Sequence, residues 1–166
     1  YLVKFKNVQQ IATSCKTVGI VIRKMNKEIL KKINNNTNTI EFTLYSINQS
    51  TQNILSNDKN SFSEIFNLLD YISVKHPNVR VTLNLPIFKN NIKEIMPTIG
   101  WIINFDFALI KILNPNNPKL QNKDKIELKL LFDYLIKTNT EFPNLFIQDE
   151  KKLNELFIKY NDTIIS

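Results

Sequence analysis

Two stretches, residues 40–46 (IEFTLYS) and 81–85 (VTLNL), alternate polar and apolar side chains. Successive side chains of a strand point to opposite faces. Phe42 and Leu44 therefore share one face and Glu41, Thr43 and Tyr45 the other; Val81, Leu83 and Leu85 likewise oppose Thr82 and Asn84. A parallel strand covered by helices on both sides reads as nearly continuous hydrophobe. Alternation predicts helices on one face only, with the other face turned toward a partly polar space. Such spaces are where α/β folds take small molecules.

The rest of the chain switches repeatedly between strand and helix periodicity. A helix is expected over residues 8–18, a strand over 18–22, a helix over 27–33 and a polar loop over 34–39. The strand at 40–46 leads into a second polar loop. Ser61 and Glu64 then have capping-box spacing before an apolar stripe of Ile65, Leu68, Leu69 and Ile72. His76-Pro77 stops that helix. A strand over 79–87 follows, then a helix over 91–103 bent or restarted at Pro97, then a strand over 105–113. Pro115 and Pro118 break the next loop, Asp124 and Glu127 open a helix, residues 145–148 read as a fifth short strand, and a last helix carries Leu153, Leu156, Phe157 and Tyr160. Strands alternating with helices imply βα units joined by right-handed crossovers. The expected fold class is α/β: a partial (βα) barrel with a parallel sheet of about five consecutive βα units, as a single domain over residues 1–166.

Composition narrows the function classes. The net charge is +7, but only Arg23 and Arg80 are arginines, and the lysines are scattered among many Asn and Ile residues. Arginine is the residue that forks onto phosphates and guanine edges, so a nucleic-acid partner is not expected. Cys15 is the only cysteine and His76 the only histidine, which excludes an internal disulfide and a metal framework or histidine triad built from this chain alone. No apolar run approaches the ~20 residues that span a bilayer. There is no charged-then-apolar leader, and a cytoplasmic location is expected. The chain starts at Tyr1 rather than at Met, which suggests a piece of a longer polypeptide.

Three segments in order, FTLYSINQSTQNIL, NSFSEIFNLLDYI and VRVTLNLPIFKNNIKEI, resemble the central part of radical S-adenosylmethionine enzymes of the peptide- and protein-modifying branch. That branch has a strand ending in SLYS, a GSFEKTL-type helix and a VxINTPIMKxN-type strand. VGIVIRKMNKEILKKI and FALIKILNP flank them in the matching places, so the resemblance runs from about residue 18 to 148. It implies the C-terminal part of a partial TIM barrel, with S-adenosylmethionine and a four-iron cluster in the full-length protein. The CxxxCxxC cluster loop and the glycine-rich GGE motif are absent from the chain, and the first two βα units would then precede it. Arg23, Lys24, Met25 and Asn26 stand in place of the family's TNG, and Gln52 in place of its loop histidine.

By that resemblance Thr43, Ser46 and Asn84 are expected to contact the cofactor, and Tyr45 the substrate. All three cofactor candidates are short neutral hydrogen-bonders that suit ribose hydroxyls or an amino-acid head group. Lys111 could face inward as an anion contact, its strand parity being ambiguous, but reads first as a solvated strand-end lysine; Trp101 reads as core. The expected function is the barrel wall, ribose contacts and substrate channel of a radical S-adenosylmethionine enzyme acting on a peptide or protein. The alternative is a degenerate, non-catalytic barrel that binds peptides.

Overall fold

The computed structural model describes residues 2–5, 8–12, 18–22, 33, 37–114 and 120–164, the first three segments by their backbone alone. Six strands, β1 (Leu2–Phe5), β2 (Val8–Ala12), β3 (Val18–Ile22), β4 (Thr37–Thr43), β5 (Arg80–Leu85) and β6 (Ala108–Ile112), form one sheet in chain order. β1 pairs antiparallel with β2, and β2 with β3. The pairings β3–β4, β4–β5 and β5–β6 are parallel.

This arrangement corrects the expected fold. The chain is a small α/β domain whose open sheet begins with an antiparallel meander; it is not a run of about five βα units forming a partial barrel. The error arises at residues 8–12. Val8, Ile11 and Ala12 have the helical i, i+3, i+4 spacing behind the helix expected over residues 8–18, but residues 8–12 pair as a strand, and residues 13–17 lie outside the described residues. As β2 their backbone is instead flanked by strands on both sides, Val8 lying opposite Phe5 and Ile22. The fifth strand is also reduced. Residues 145–148 contribute one parallel bridge, Phe146 to Ile110. The Gln148 side chain extends it: its Oε1 accepts from Ile112 N (3.2 Å) and its Nε2 donates to Ile112 O (2.7 Å). The expected helix at 27–33 lies almost wholly outside the described residues, as do Cys15 and the Arg23–Asn26 segment.

Five helices complete the described fold: α1 (Gln49–Ser56), α2 (Ser61–Lys75), α3 (Ile92–Ile102), α4 (Lys125–Glu141) and α5 (Glu150–Asp162). The parallel strands advance in one direction, so right-handed crossovers put α2 and α3 on the same face. The register agrees. Ile40, Val81 and Ala108 form one row across β4–β6 and Phe42, Leu83 and Ile110 the next, all buried with Leu44, Leu85 and Ile112. Against them lie Ile65, Leu68, Leu69 and Ile72 of α2, Ile95 and Ile99 of α3, Leu131 and Leu135 of α4, and Leu156 and Tyr160 of α5 in one continuous core. Burying each such side chain is worth about 1.5–3 kcal/mol, so this face holds the domain together. Pro97 lies inside a continuous α3. No described helix is long and apolar enough to cross a membrane.

Candidate functional site

The opposite face of the sheet carries the alternate residues. Glu41, Thr82 and Leu109 form one row, and Thr43, Asn84 and Lys111 the next. Glu41 on β4 and Lys111 on β6 converge over Asn84 on the strand between them. Asn84 Nδ2 donates to Glu41 Oε1 (2.8 Å), and Lys111 Nζ lies 3.3 Å from the same oxygen. The carboxylate can only accept, which orients the Asn84 amide with its nitrogen toward Glu41. Asn84 is 8% exposed, and its Oδ1 is buried without a hydrogen-bond partner among the described residues. Such an acceptor costs about 1–3 kcal/mol.

Tyr45 lies on this side too, one pleat beyond Thr43. Its ring is half-buried and tilted against Phe88, with centroids 6.1 Å apart, and burial raises its hydroxyl pKa above 10.0. Thr43 is the direct register partner of Asn84. Three of the four residues expected at the site, Thr43, Tyr45 and Asn84, thus share one face.

Ser46 does not join them. It is fully buried at the carboxyl end of β4, where its hydroxyl donates to Glu94 Oε2 and accepts from Asn48 N (2.7 Å). Around it the loop after β4 is tied down by side chains. Gln52 Oε1 accepts from Tyr45 N (2.7 Å) and Ser46 N (3.2 Å), and its Nε2 donates to Ser61 Oγ (2.8 Å). Asn91 Nδ2 reaches Tyr45 O and Pro86 O, both at 2.9 Å, and its Oδ1 accepts from Phe88 N (2.7 Å). Thr51 Oγ1 and Glu94 Oε1 are 2.9 Å apart. These groups hold α1 and α3 against the strand ends and leave no polar atom of Gln52 or Asn91 spare. Ser61 is the first residue of α2 and is engaged with Gln52; the N-cap is Asn60, whose side chain makes no capping bond. The expected Ser61–Glu64 capping box therefore does not form, and Asn53 Oδ1 instead accepts from Phe62 N (2.9 Å).

Lys111 also lines a second feature. At the carboxyl end of β6 a cavity of about 270 Å³ opens between that strand, Gln148 and α5, bounded by Lys111, Asn114, Lys152, Glu155 and Lys159 with Ile112 and Leu156. Trp101 packs between Phe66 (4.8 Å) and Phe105 (4.6 Å), within the aromatic layer beside α2.

Sequence reading missed Glu41 as a partner and set Lys111 aside. Its parity is hidden because residues 107–113 are apolar apart from the lysine itself. The register Asn84↔Lys111 resolves it. Among the described residues no group of three or more His, Cys, Asp or Glu side chains converges as a metal site. No protein-family model, curated protein or solved structure matches the chain.

Proposed function

We propose that this chain binds an α-amino-acid head group on the polar face of its sheet, with Glu41 taking the ammonium, Lys111 the carboxylate and Asn84 a hydrogen-bond donor of the ligand. The observation that carries the reading is the buried, unpartnered Oδ1 of Asn84 beneath a carboxylate and an ammonium. The Glu41 and Lys111 side chains are 32% and 39% exposed. Separating a partly exposed pair of this kind costs about 0–1 kcal/mol, so a zwitterion can insert between them cheaply. The position also suits a ligand: open α/β sheets bind at the carboxyl ends of their strands, and Thr43, Asn84 and Lys111 lie there.

The resemblance to radical S-adenosylmethionine enzymes narrows the occupant to S-adenosylmethionine. Its methionine moiety carries the head group just described, and Thr43 offers a hydroxyl to its ribose. Bound there, that cofactor would supply adenosyl-radical chemistry. The three thiolates of an iron–sulfur cluster are not provided by the described residues. This chain's own contribution is to bind and orient, with Tyr45 beside Phe88 as the contact for a peptide substrate. A peptide-binding module is the second reading, favoured by the same residues, because a free peptide terminus presents the same charged groups. A single cysteine in 166 residues suits the reducing cytoplasm.

Calorimetric titration with S-adenosylmethionine, methionine and a short peptide tests this. Saturable binding that weakens about tenfold or more in Glu41→Gln and in Lys111→Met is expected. Competition between S-adenosylmethionine and free methionine would place the head group on these residues, whereas binding of the peptide alone selects the module reading. The absence of binding by all three ligands, or affinities unchanged in both variants, refutes the proposal.

A further inference from the structure

We infer that the cavity at the carboxyl end of β6 is a second binding site, for a small phosphate-type dianion. Three lysines, Lys111, Lys152 and Lys159, and one carboxylate, Glu155, line it, giving the lining a net charge of +2. Among the described residues no ion pair neutralises Lys152 or Lys159; Lys159 reaches only the neutral Asn114 Oδ1, at 3.4 Å. Lys152 stands in the first turn of α5, the end at which the helix dipole disfavours a cation. The backbone donor there is already used, since Asp149 Oδ1 accepts from Lys152 N (2.8 Å). The groups offered to an anion in the cavity are the side-chain ammonium groups of Lys111, Lys152 and Lys159.

Size sets the ligand class. Pockets for drug-sized ligands run from roughly 300 to 1,000 Å³, and 270 Å³ falls just below that range. It suits a phosphomonoester head group better than a whole nucleotide. One wall is rigid, because Gln148 is bonded through both ends of its amide to Ile112. Lys111 is the shared element. It pairs with Glu41 at 3.3 Å and also lines the cavity, so a dianion there competes with Glu41 for it. The site shares only that lysine with the polar face and stands whether or not an amino acid binds there.

The probes are inorganic phosphate and phosphoserine, followed by phosphorus NMR and calorimetry on the full chain. Saturable binding with a dissociation constant below about 5 mM is expected. Lys152→Ala with Lys159→Ala should weaken it by about tenfold or more, with S-adenosylmethionine or peptide affinity at the polar face unchanged. Glu41→Gln releases Lys111 and should tighten phosphate by about threefold, an effect that a merely structural lysine would not produce. The inference is overturned if phosphate does not saturate. It is also overturned if the double variant binds as the parent does while its near-ultraviolet dichroism shows it folded. An RNA oligomer that displaces phosphate with a steep salt dependence would overturn the small-ligand assignment.

Discussion

Tyr160 offers the sharpest test of how the carboxyl ends of the strands are locked. It is fully buried on α5, where its hydroxyl donates to Leu113 O (2.8 Å) and accepts from Ile87 N (3.3 Å). One phenol thus bridges the residues that follow β5 and β6. Burial pushes its pKa from 10.0 up to about 12, with the Ile87 hydrogen bond pulling modestly the other way. Between pH 10 and 12 the unfolded chain loses the phenolic proton while the folded chain keeps it. The native state then binds more protons than the unfolded state, so stability falls as pH rises. Two pKa units correspond to about 3 kcal/mol, present in full below pH 10 and lost as pH rises through about 12. Tyr160→Phe removes both hydrogen bonds and should cost about 1–3 kcal/mol at neutral pH. The variant should lack this alkaline loss, so the stability gap between parent and variant shrinks as pH climbs from 10. Urea unfolding followed by the fluorescence of Trp101, the only tryptophan, measures both curves. A gap that stays constant across that window would refute the buried-phenol reasoning. A neutral-pH cost below about 0.5 kcal/mol would refute the bridging role.

Gln52→Ala leaves Tyr45 N and Ser46 N without their side-chain acceptor and should cost about 2 kcal/mol or more in urea unfolding. Gln52→Glu keeps both acceptor bonds, and the Ser61 hydroxyl can turn to donate, so it should retain more stability than the alanine variant. The reverse ranking would show that the loop is not held by these bonds. Asn84→Val removes the orphaned Oδ1 together with the bond to Glu41 and places a good strand former in β5. Its thermal stability should match or exceed the parent's while ligand affinity at the polar face is lost. A loss above about 2 kcal/mol would make Asn84 a structural residue instead.

Hydrophobic pattern alone located the helices that pack on the sheet. The stripes in residues 61–75, 92–102, 125–141 and 150–162 are strong because each buries apolar side chains at helical spacing. It failed for α1, whose one fully buried side chain is the polar Gln52, while of its two large hydrophobes Ile54 is exposed and Leu55 only partly buried. A cap signal was available: Asn48 Oδ1 accepts from Ser50 N and Thr51 N, and an Asn followed by small polar residues is how such a helix opens. The meander at the start was illegible for another reason. Whether five residues form a strand depends on partners elsewhere in the chain, and no local period records them.

The same division explains why the site was only partly visible. Thr43, Tyr45 and Asn84 could be placed on a common face because alternation within one strand is a local property. The meeting of Glu41 with Lys111, 70 residues apart in sequence, is a property of register between three strands. Register is set by how the apolar faces pack, and here the rows Ile40–Val81–Ala108 and Phe42–Leu83–Ile110 do the setting. The hydrophobic face thereby determines which charges meet on the polar one, although it touches none of them. The polar groups that stabilise the fold, Gln52 and Asn91, are saturated at the strand ends. Asn84 Oδ1, by contrast, has no hydrogen-bond partner among the described residues, and it sits where that register also brings an anion and a cation together.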